Sequence, residues 1–569
     1  MVVDPRRKDG TGQPKEGEEA EEAKPQSDEA HSAFTPPVGV PLPPVPAEDE
    51  HPTSEFALPE GFRPRPQEPQ GSAFRFRGEQ HGGEYADYTP ATGIPLVRLS
   101  KRNAPWQDRM RTMVRLPLGE RPAPPERAPR AEGETGPPVP RVLDLTLRIG
   151  ELLLAGGEGA EDVEAAMFGV AHAYGLDRCE PTVTFTLISI THQPSLVDDP
   201  VTLSRTVRRR GTDYTRLAAV YRLVADITSE EEDAVSLEEA YRRLAEIRRN
   251  RHPYSKGALT LASGVLAGAA STLVGGGPTV FVLAAIGAML GDRLAWFASS
   301  RGLPEFYQFV AAAMPPAAIG VSVVLLDHPW LEGARASAVV TGGLFALIPG
   351  RALVAAVHDG LTGFYITASA RLLEVVYLIV GIVCGVLMIL YIGDLLGGEF
   401  TPDEQTSRER PGIQLAAAML LALAFCVLLQ QERATVAWAT LNGGVAWLVY
   451  GSLTQTADLD PVFATVIAAG LVGLFGQLLS RYQFVSALPY VTAAIGPLLP
   501  GSATYYGLLN IAEGNVNGGF QFLSTAAALA LAIAIGVNLG AELARLFIHA
   551  PGAETPLPGR RAAKRTRGF

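Results

Sequence analysis

Hydrophobic and polar positions along the 569-residue chain fall into two regimes that meet near Gly257. Beyond it, apolar runs such as Val375–Tyr391 and Phe522–Val537 alternate with short polar loops. A hydrocarbon core about 30 Å thick takes roughly 20 helical residues to cross, and these runs approach that length. They predict ten transmembrane helices: Gly257–Gly275, Thr279–Phe297, Phe306–Leu326, Ala334–Ile348, Leu372–Tyr391, Ile413–Leu429, Ala434–Tyr450, Val462–Leu479, Val485–Leu499 and Phe522–Phe547. The expected fold class is an α-helical polytopic membrane protein, and its function is to be sought across a bilayer.

Ahead of the spans the pattern is mixed. Val142–Leu154 and Glu161–Tyr174 carry apolar residues at helical spacing, while Thr182–Thr191 alternates like one half-buried strand. Ser236 with Glu239 forms a capping box that opens a last helix running towards Arg249. Residues 141–256 therefore read as a small α+β cytosolic domain. Residues 1–140, rich in Pro, Glu, Gly and Ala, read as a disordered cytosolic tail with no apolar signal-peptide core. The rest divides into a first five-helix module at 257–394, an acidic external loop at 395–411, a second five-helix module at 412–547 and a basic cytosolic tail at 548–569.

The net charge of −11 comes largely from the amino-terminal tail and one polar loop, so it identifies no partner. Lys and Arg are more telling, because cytoplasmic loops carry an excess of them. With the amino end inside, Arg248, Arg249, Arg251, Lys256, Arg293, Arg301, Arg351, Arg371, Arg433 and Arg481 all fall inside, as do Arg560, Arg561, Lys564, Arg565 and Arg567. Opposite loops hold mainly Asp327, Glu332, Asp394, Glu399, Asp403, Glu404, Asp458 and Asp460, with Arg335, Arg408 and Arg410 as exceptions. Both termini are thus expected in the cytoplasm. Two of the three cysteines, Cys384 and Cys426, lie in apolar segments, and with Cys179 they make no disulfide framework.

The stretch Leu347-Ile-Pro-Gly in the first module is matched by Leu498-Leu-Pro-Gly in the second, each after the fourth span of its half. Five spans per half make the second copy inverted, an architecture in which transporters alternate access around an internal site. Counting Ala352–Ala370 as a further span would give parallel copies. That arrangement puts Arg433 and Arg481 outside and the acidic loop inside, against the charge rule.

Pro349-Gly350 and Pro500-Gly501 end one helix and start another, leaving unpaired N–H groups that favour a carboxylate. Asp359 and His358 form an ionisable pair in an apolar setting, suited to a substrate ammonium group or a coupling proton. The alternative pairs Asp359 with Arg351 or Arg371 in a cytoplasmic re-entrant loop. Glu374 is a further coupling candidate or an interfacial residue. Asn442, Gln477, Asn510, Glu513, Asn515 and Asn517 offer hydrogen bonds to a hydroxyl or to broken backbone. Pro315-Pro316 should kink the third span, Gly264, Gly268 and Ala269 allow close helix approach, and the Arg205, Arg208, Arg209, Arg210 cluster suits anionic lipid or solvent. No phosphate-binding Gly-Lys-Ser/Thr loop, zinc-protease motif or nucleophile elbow occurs, and the nine histidines lack metal-ligand spacing. No cofactor and no nucleic-acid partner are expected.

Two stretches carry a family resemblance. Leu154-Ala-Gly-Gly-Glu-Gly-Ala-Glu-Asp-Val-Glu with Ala173-Tyr-Gly-Leu resembles the soluble-domain entry of the threonine/serine exporter family, matching at Gly157, Val163, Glu164, Gly175 and Leu176. Ile348–Arg371 resembles its membrane motif at Pro349, Gly350, Asp359, Gly363, Tyr365 and Arg371. Departures are Val354-Ala355 where the family commonly has Thr-Asn, His358 where it has Arg, and Ala368 where it has Gly. Leu499-Pro-Gly-Ser-Ala-Thr-Tyr resembles the companion module, here fused, so the likeness spans Val142–Phe547. It implies export of L-threonine and L-serine across the bacterial plasma membrane by proton antiport, without enzymatic chemistry. On that reading Gly350 and Gly501 hold the substrate carboxylate, Asp359 meets its ammonium or a proton with His358 and Glu374 nearby, and Asn442 and Asn510 read the hydroxyl. Pro349, Gly363, Tyr365, Arg371 and Pro500 shape the motif. The alternatives are a membrane-anchored enzyme or sensor acting through 141–256 and a passive channel; the oligomeric state, a homo-oligomer included, is open.

Overall fold

The computed structural model describes residues 106–115, 121, 139–195, 197–207, 211, 213–229, 235–249, 254–326, 328–331, 333–398, 410–483 and 485–547. The expected tails, apart from the few described residues between 106 and 140, lie outside these. So do most of the acidic loop, Asp327, Glu332, and Arg208, Arg209 and Arg210.

Before the membrane helices come α1 (Trp106–Arg115), α2 (Val139–Ala155), α3 (Ala160–Ala173), β1 (Cys179–Val183), β2 (Leu187–His192), β3 (Val201–Thr206), α4 (Tyr214–Thr228) and α5 (Leu237–Arg249). The strands form one antiparallel sheet in chain order, with Pro181 opposite Ile190 and Ile188 opposite Arg205. Leu143, Ile149, Leu153, Phe168, Ile188, Ile190 and Tyr221 are fully or almost fully buried in the core of this layer. The single strand expected over Thr182–Thr191 is instead a hairpin. The Thr184 N–H donates to Leu187 O at 2.8 Å, and the chain reverses across residues 184–186. Alternation alone cannot separate one strand from two facing strands joined by a short turn.

A second correction concerns α1, which lies in the stretch read as disordered. Its Trp106 and Met110 are buried at 4% and 3% exposure against the same core. Ten residues in a Pro- and Arg-rich surround carry too little periodicity to stand out. The Ser236 cap holds by half: the Glu239 N–H donates to Ser236 Oγ at 3.3 Å, while the Glu239 carboxylate turns to Arg242 and Arg243.

The membrane part comprises α6 (Lys256–Leu273), α7 (Pro278–Ser300), α8 (Glu305–Leu325), α9 (Ala336–Leu344), α10 (Gly350–Leu361), α11 (Tyr365–Leu395), α12 (Pro411–Leu428), α13 (Arg433–Gln455), α14 (Pro461–Gln483), α15 (Leu488–Ala494), α16 (Gly501–Ala512) and α17 (Val516–Phe547). A helix stands at each of the ten expected spans. By length and apolarity six of the described helices, α7, α8, α11, α12, α14 and α17, suffice to cross a membrane, and the pair α9–α10, bent by 51°, brings the number to seven if it is one broken span. Lys256, Arg433 and many Gly, Ser, Thr and Asn residues dilute α6 and α13, and α15 is short. The bundle shows large apolar side chains to its surroundings, such as Leu373, Leu395 and Phe463, as lipid contact demands.

Helix α11 begins seven residues before its expected start, because Arg371, which bounds the apolar run in the sequence, lies inside the helix and is buried. Gly363, at φ +96°, turns the chain between α10 and α11, so Ala352–Ala370 is not one span. Helix α8 continues through Pro315 and Pro316. Gly264 and Gly268 face Met289 and Phe281 of α7, the close approach their spacing predicts. At the crossing of α14 and α17 the backbones nearly touch: a Cβ on Gly540 would overlap Gly470 O, and one on Gly473 would overlap Val537 O.

The soluble layer caps one end of the bundle. The Tyr214 and Thr215 N–H groups donate to Leu429 O and Gln430 O at 3.1 and 3.2 Å, Tyr254 Oη donates to Gln431 O, and Arg481 pairs with Asp108 at 2.8 Å.

Candidate functional site

Both Pro-Gly steps break a helix as expected. Pro349 and Pro500 cap α10 and α16 with ψ near 50°, 49° and 55° respectively, outside the helical range. The two breaks abut. A Cβ on Gly350 would come within 2.8 Å of Leu499, and one on Gly501 within 3.0 Å of Phe345 and 3.3 Å of Thr341. Helices from opposite halves of the chain thus start side by side, each with its first N–H groups free of helical partners.

A cavity of about 650 Å³ leads towards this point from the end of the bundle away from the soluble layer. Ser502, next to Gly501, and Tyr506 line its α16 side, with Gln414, Trp447, Tyr450 and Thr454 opposite. Arg335 closes one flank by donating to Gly275 O at 3.2 Å. The lining mixes aromatic faces with hydroxyl and amide groups around a guanidinium, a chemistry suited to a small zwitterion.

The other end is closed. The turn between α2 and α3, Gly156-Gly157-Glu158-Gly159, reaches from the soluble layer onto α10 and α11. Gly157 at φ +93° and the absence of a side chain at Gly159, where a Cβ would sit 2.9 Å from His358, let this loop approach closely. Asp359 is fully buried there. It pairs with Arg371 at 3.1 Å and accepts the Ala160 N–H at 2.9 Å, while Arg371 Nη2 donates to Glu158 O at 2.8 Å. Arg351 donates to Gly156 O at 3.4 Å, and His358 Nδ1 shares a 2.7 Å hydrogen bond with Asn538 Oδ1 of α17.

The sequence-derived residues therefore separate into four places. Pro349, Gly350, Pro500 and Gly501 come together at the breaks. Asp359, His358 and Arg371 gather under the soluble loop, in the ion-paired arrangement, with Glu374 half-buried one turn further along α11 and Gly363 and the exposed Tyr365 at the adjoining turn. Asn442 is buried on α13, its Nδ2 donating to Val472 O at 3.3 Å and its Oδ1 without a hydrogen-bond partner among the described residues. Asn510 sits at the far end of α16, where it donates to Tyr506 O at 2.9 Å and accepts from Asn515 at 2.8 Å, fixing the turn into α17. Among the described residues no group of three or more His, Cys, Asp or Glu side chains could hold a metal ion.

Sequence reasoning missed Glu158, Asp162, Arg111, Ser486 and Asn538. Their signal was present only in part: Glu158 and Asp162 lie in the Gly-rich stretch quoted for its resemblance, but nothing in the sequence joins it to α10. Burial pushes Glu158 up to about 8, and Asp162 adds to this; Tyr221, Ser486 and Arg111 act against it. Burial also raises Glu164, to about 7, despite its bond from the Val183 N–H.

A many-helix membrane bundle with paired helix breaks beneath an open cavity defines a multi-pass membrane transporter, not an enzyme. Residues 144–393 match the family described as "Putative threonine/serine exporter", and residues 414–542 match "Threonine/Serine exporter, ThrE". The chain is 35% identical over 422 residues to the "Probable threonine/serine exporter" of Mycobacterium tuberculosis, an alignment covering 72% of this chain and 78% of that protein. It is 31% identical over 420 residues to the "Threonine/serine exporter" of Corynebacterium glutamicum, covering 73% and 84%. The chain belongs to the threonine/serine exporter family, with both modules in one polypeptide. No solved structure matches it.

Proposed function

We propose that this protein exports L-threonine and L-serine across a bacterial plasma membrane by alternating access, in antiport with protons. The abutting helix breaks at Gly350 and Gly501 carry this reading. The Gly350 and Gly501 N–H groups bond back to Ile348 O and Leu499 O at 2.8 and 2.9 Å, so what the paired N-termini offer a carboxylate is two positive dipole ends side by side and the first-turn amides that follow. On this reading α6–α11 and α12–α17 are two five-helix modules. Each runs through three helices, a helix broken at Leu-x-Pro-Gly and a long final helix. An odd number of crossings inverts the second module, places both termini in the cytoplasm and brings the total to ten spans.

In this cycle the cavity lined by Ser502 and Tyr506 is the external vestibule, and the soluble loop closes the cytoplasmic end. Asn442 Oδ1, an acceptor without a hydrogen-bond partner among the described residues, reads the substrate's hydroxyl or ammonium group. Asp359 takes its part when the cytoplasmic end opens and its pairing with Arg371 and the Ala160 N–H loosens; His358 and Glu374 flank it. Asn510 acts by holding the turn between α16 and α17.

The test is flux of labelled threonine and serine in proteoliposomes with and without an imposed pH gradient. Saturable, gradient-driven flux is expected, and flux indifferent to the gradient would mean a facilitator or channel. Asp359→Asn should lower gradient-driven flux at least about tenfold, since it removes the charge that α10 presents to substrate or proton; undiminished flux would remove Asp359 from the cycle.

A further inference from the structure

Glu158 is the one loop residue whose side chain is itself locked into the membrane part. Its carboxyl lies wholly within the protein at 4% exposure, accepts Tyr221 Oη at 2.6 Å, and sits 3.0 and 3.1 Å from Ser486 Oγ in the link between α14 and α15. Beside it is a polar chamber of only about 40 Å³, lined also by Gln107, Asp108, Arg111, Asp162 and Arg481. Every charge around that chamber already has an opposite partner. Arg111 pairs with Asp162, Glu161 and Asp108; Arg481 pairs with Asp108; Arg371 pairs with Asp359. Among the described residues no cation forms an ion pair with Glu158: its carboxyl meets two hydroxyls, and Arg111, which acts on it from across the chamber, is itself paired.

We propose that Glu158 is a proton-operated latch: with its carboxyl protonated the α2–α3 loop stays docked on α10 and α11, and with its proton lost the loop leaves and the cytoplasmic end opens. The inference rests on the proposed reading that this end opens during transport. A neutral carboxyl fits the site, accepting from Tyr221 and donating to Ser486 Oγ. A carboxylate there has only hydroxyl donors and no cation of its own, so it favours water.

The groups facing Glu158 set the sign. Burial and Asp162 raise it to about 8, from an ordinary value of 4.5; Tyr221, Ser486 and Arg111 oppose this. Burial also lifts Asp162, but Arg111, His358 and Arg545 outweigh it and keep Asp162 below the usual range and ionised. A docked carboxyl with a raised pKa gives docking its full strength below the free value near 4.5, and that strength is lost as pH rises through about 8. Within that window each pH unit favours the undocked loop by up to about tenfold. Opening at neutral pH then releases a proton into the cytoplasm, and cytoplasmic acidification holds the transporter shut.

The experiment is hydrogen exchange of the full-length protein in lipid nanodiscs at pH 6, 7 and 8, without substrate, following peptides over 154–163 and correcting for the intrinsic exchange rate. Wild type should expose these amides increasingly with pH, approaching about tenfold per unit. Glu158→Gln should stay protected at every pH. Tyr221→Phe, which removes a hydrogen bond favouring the carboxylate, should shift the wild-type profile to higher pH, an effect that loss of packing alone would not give. A flat wild-type profile, a Glu158→Gln profile that follows wild type or is unprotected throughout, or an unmoved Tyr221→Phe midpoint would each overturn the latch. Because no substrate is present, such a failure leaves the flux result standing, and absent threonine and serine flux would count against the transport reading separately.

Discussion

Replacing Arg371 with alanine should cost about 3–5 kcal/mol of stability and abolish transport. Arg371 and Asp359 are 4% and 0% exposed, and their pairing at 3.1 Å is the means by which a carboxylate survives inside the bundle. Without the guanidinium, Asp359 keeps the single N–H of Ala160, far short of what a buried charge needs. The same side chain also donates to Glu158 O, so its loss frees the loop that closes this end. Lysine cannot substitute, because its point charge lacks the fork that reaches both partners. Thermal unfolding in detergent measures the effect. The double replacement Arg371→Met with Asp359→Leu should recover most of the stability but none of the flux, since apolar partners of similar volume need no pairing. A single Arg371→Ala loss below about 1 kcal/mol would show that water already screens the pair.

The second large effect lies away from the site. Gly540→Val should prevent accumulation of folded protein, with a cost beyond the 1–3 kcal/mol of ordinary overpacking. The atom that a Cβ there would meet is Gly470 O, a backbone oxygen of the facing helix, which no rotamer change can move aside. Gly473 and Gly536 make the same demand in the same crossing, so α14 and α17 cannot part locally without losing the whole seam. Gly412→Ala is the control, because nothing lies within 4 Å of its added methyl. Size-exclusion profiles of the two variants solubilised from membranes make the comparison; a monodisperse Gly540→Val peak would mean that the crossing tolerates separation.

Much of this was legible in the sequence wherever one local signal governs. Apolar runs foretold where helices stand, six or seven of them long and apolar enough to cross a membrane, and Pro-Gly steps foretold both breaks, because proline's missing donor acts on its own turn. The start of α11 was not legible. Arg371 reads as the end of a span until Asp359 supplies its partner, and Asp359 is itself held by Ala160, 199 residues earlier. The hairpin at Thr184–Thr186 and the helix at Trp106 were lost for related reasons: alternation is blind to reversal, and ten residues give few repeats. Glu158 was hidden most deeply, since its meaning comes from Tyr221 and Ser486, on separate elements. Its chemical environment belongs to the tertiary fold.

The join between the two family modules has a consequence for how the chain can be built. Helix α11 ends at Leu395 and α12 begins at Pro411, while the surfaces that bind the modules lie elsewhere: α6 packs on α12, α9 and α11 on α16, and α10 on α17. Among the described residues that interlocking is made by helices on either side of residues 399–409. Two separately translated polypeptides, divided there, should find each other in the bilayer and reassemble into a working whole, with the covalent link serving mainly to keep their numbers equal.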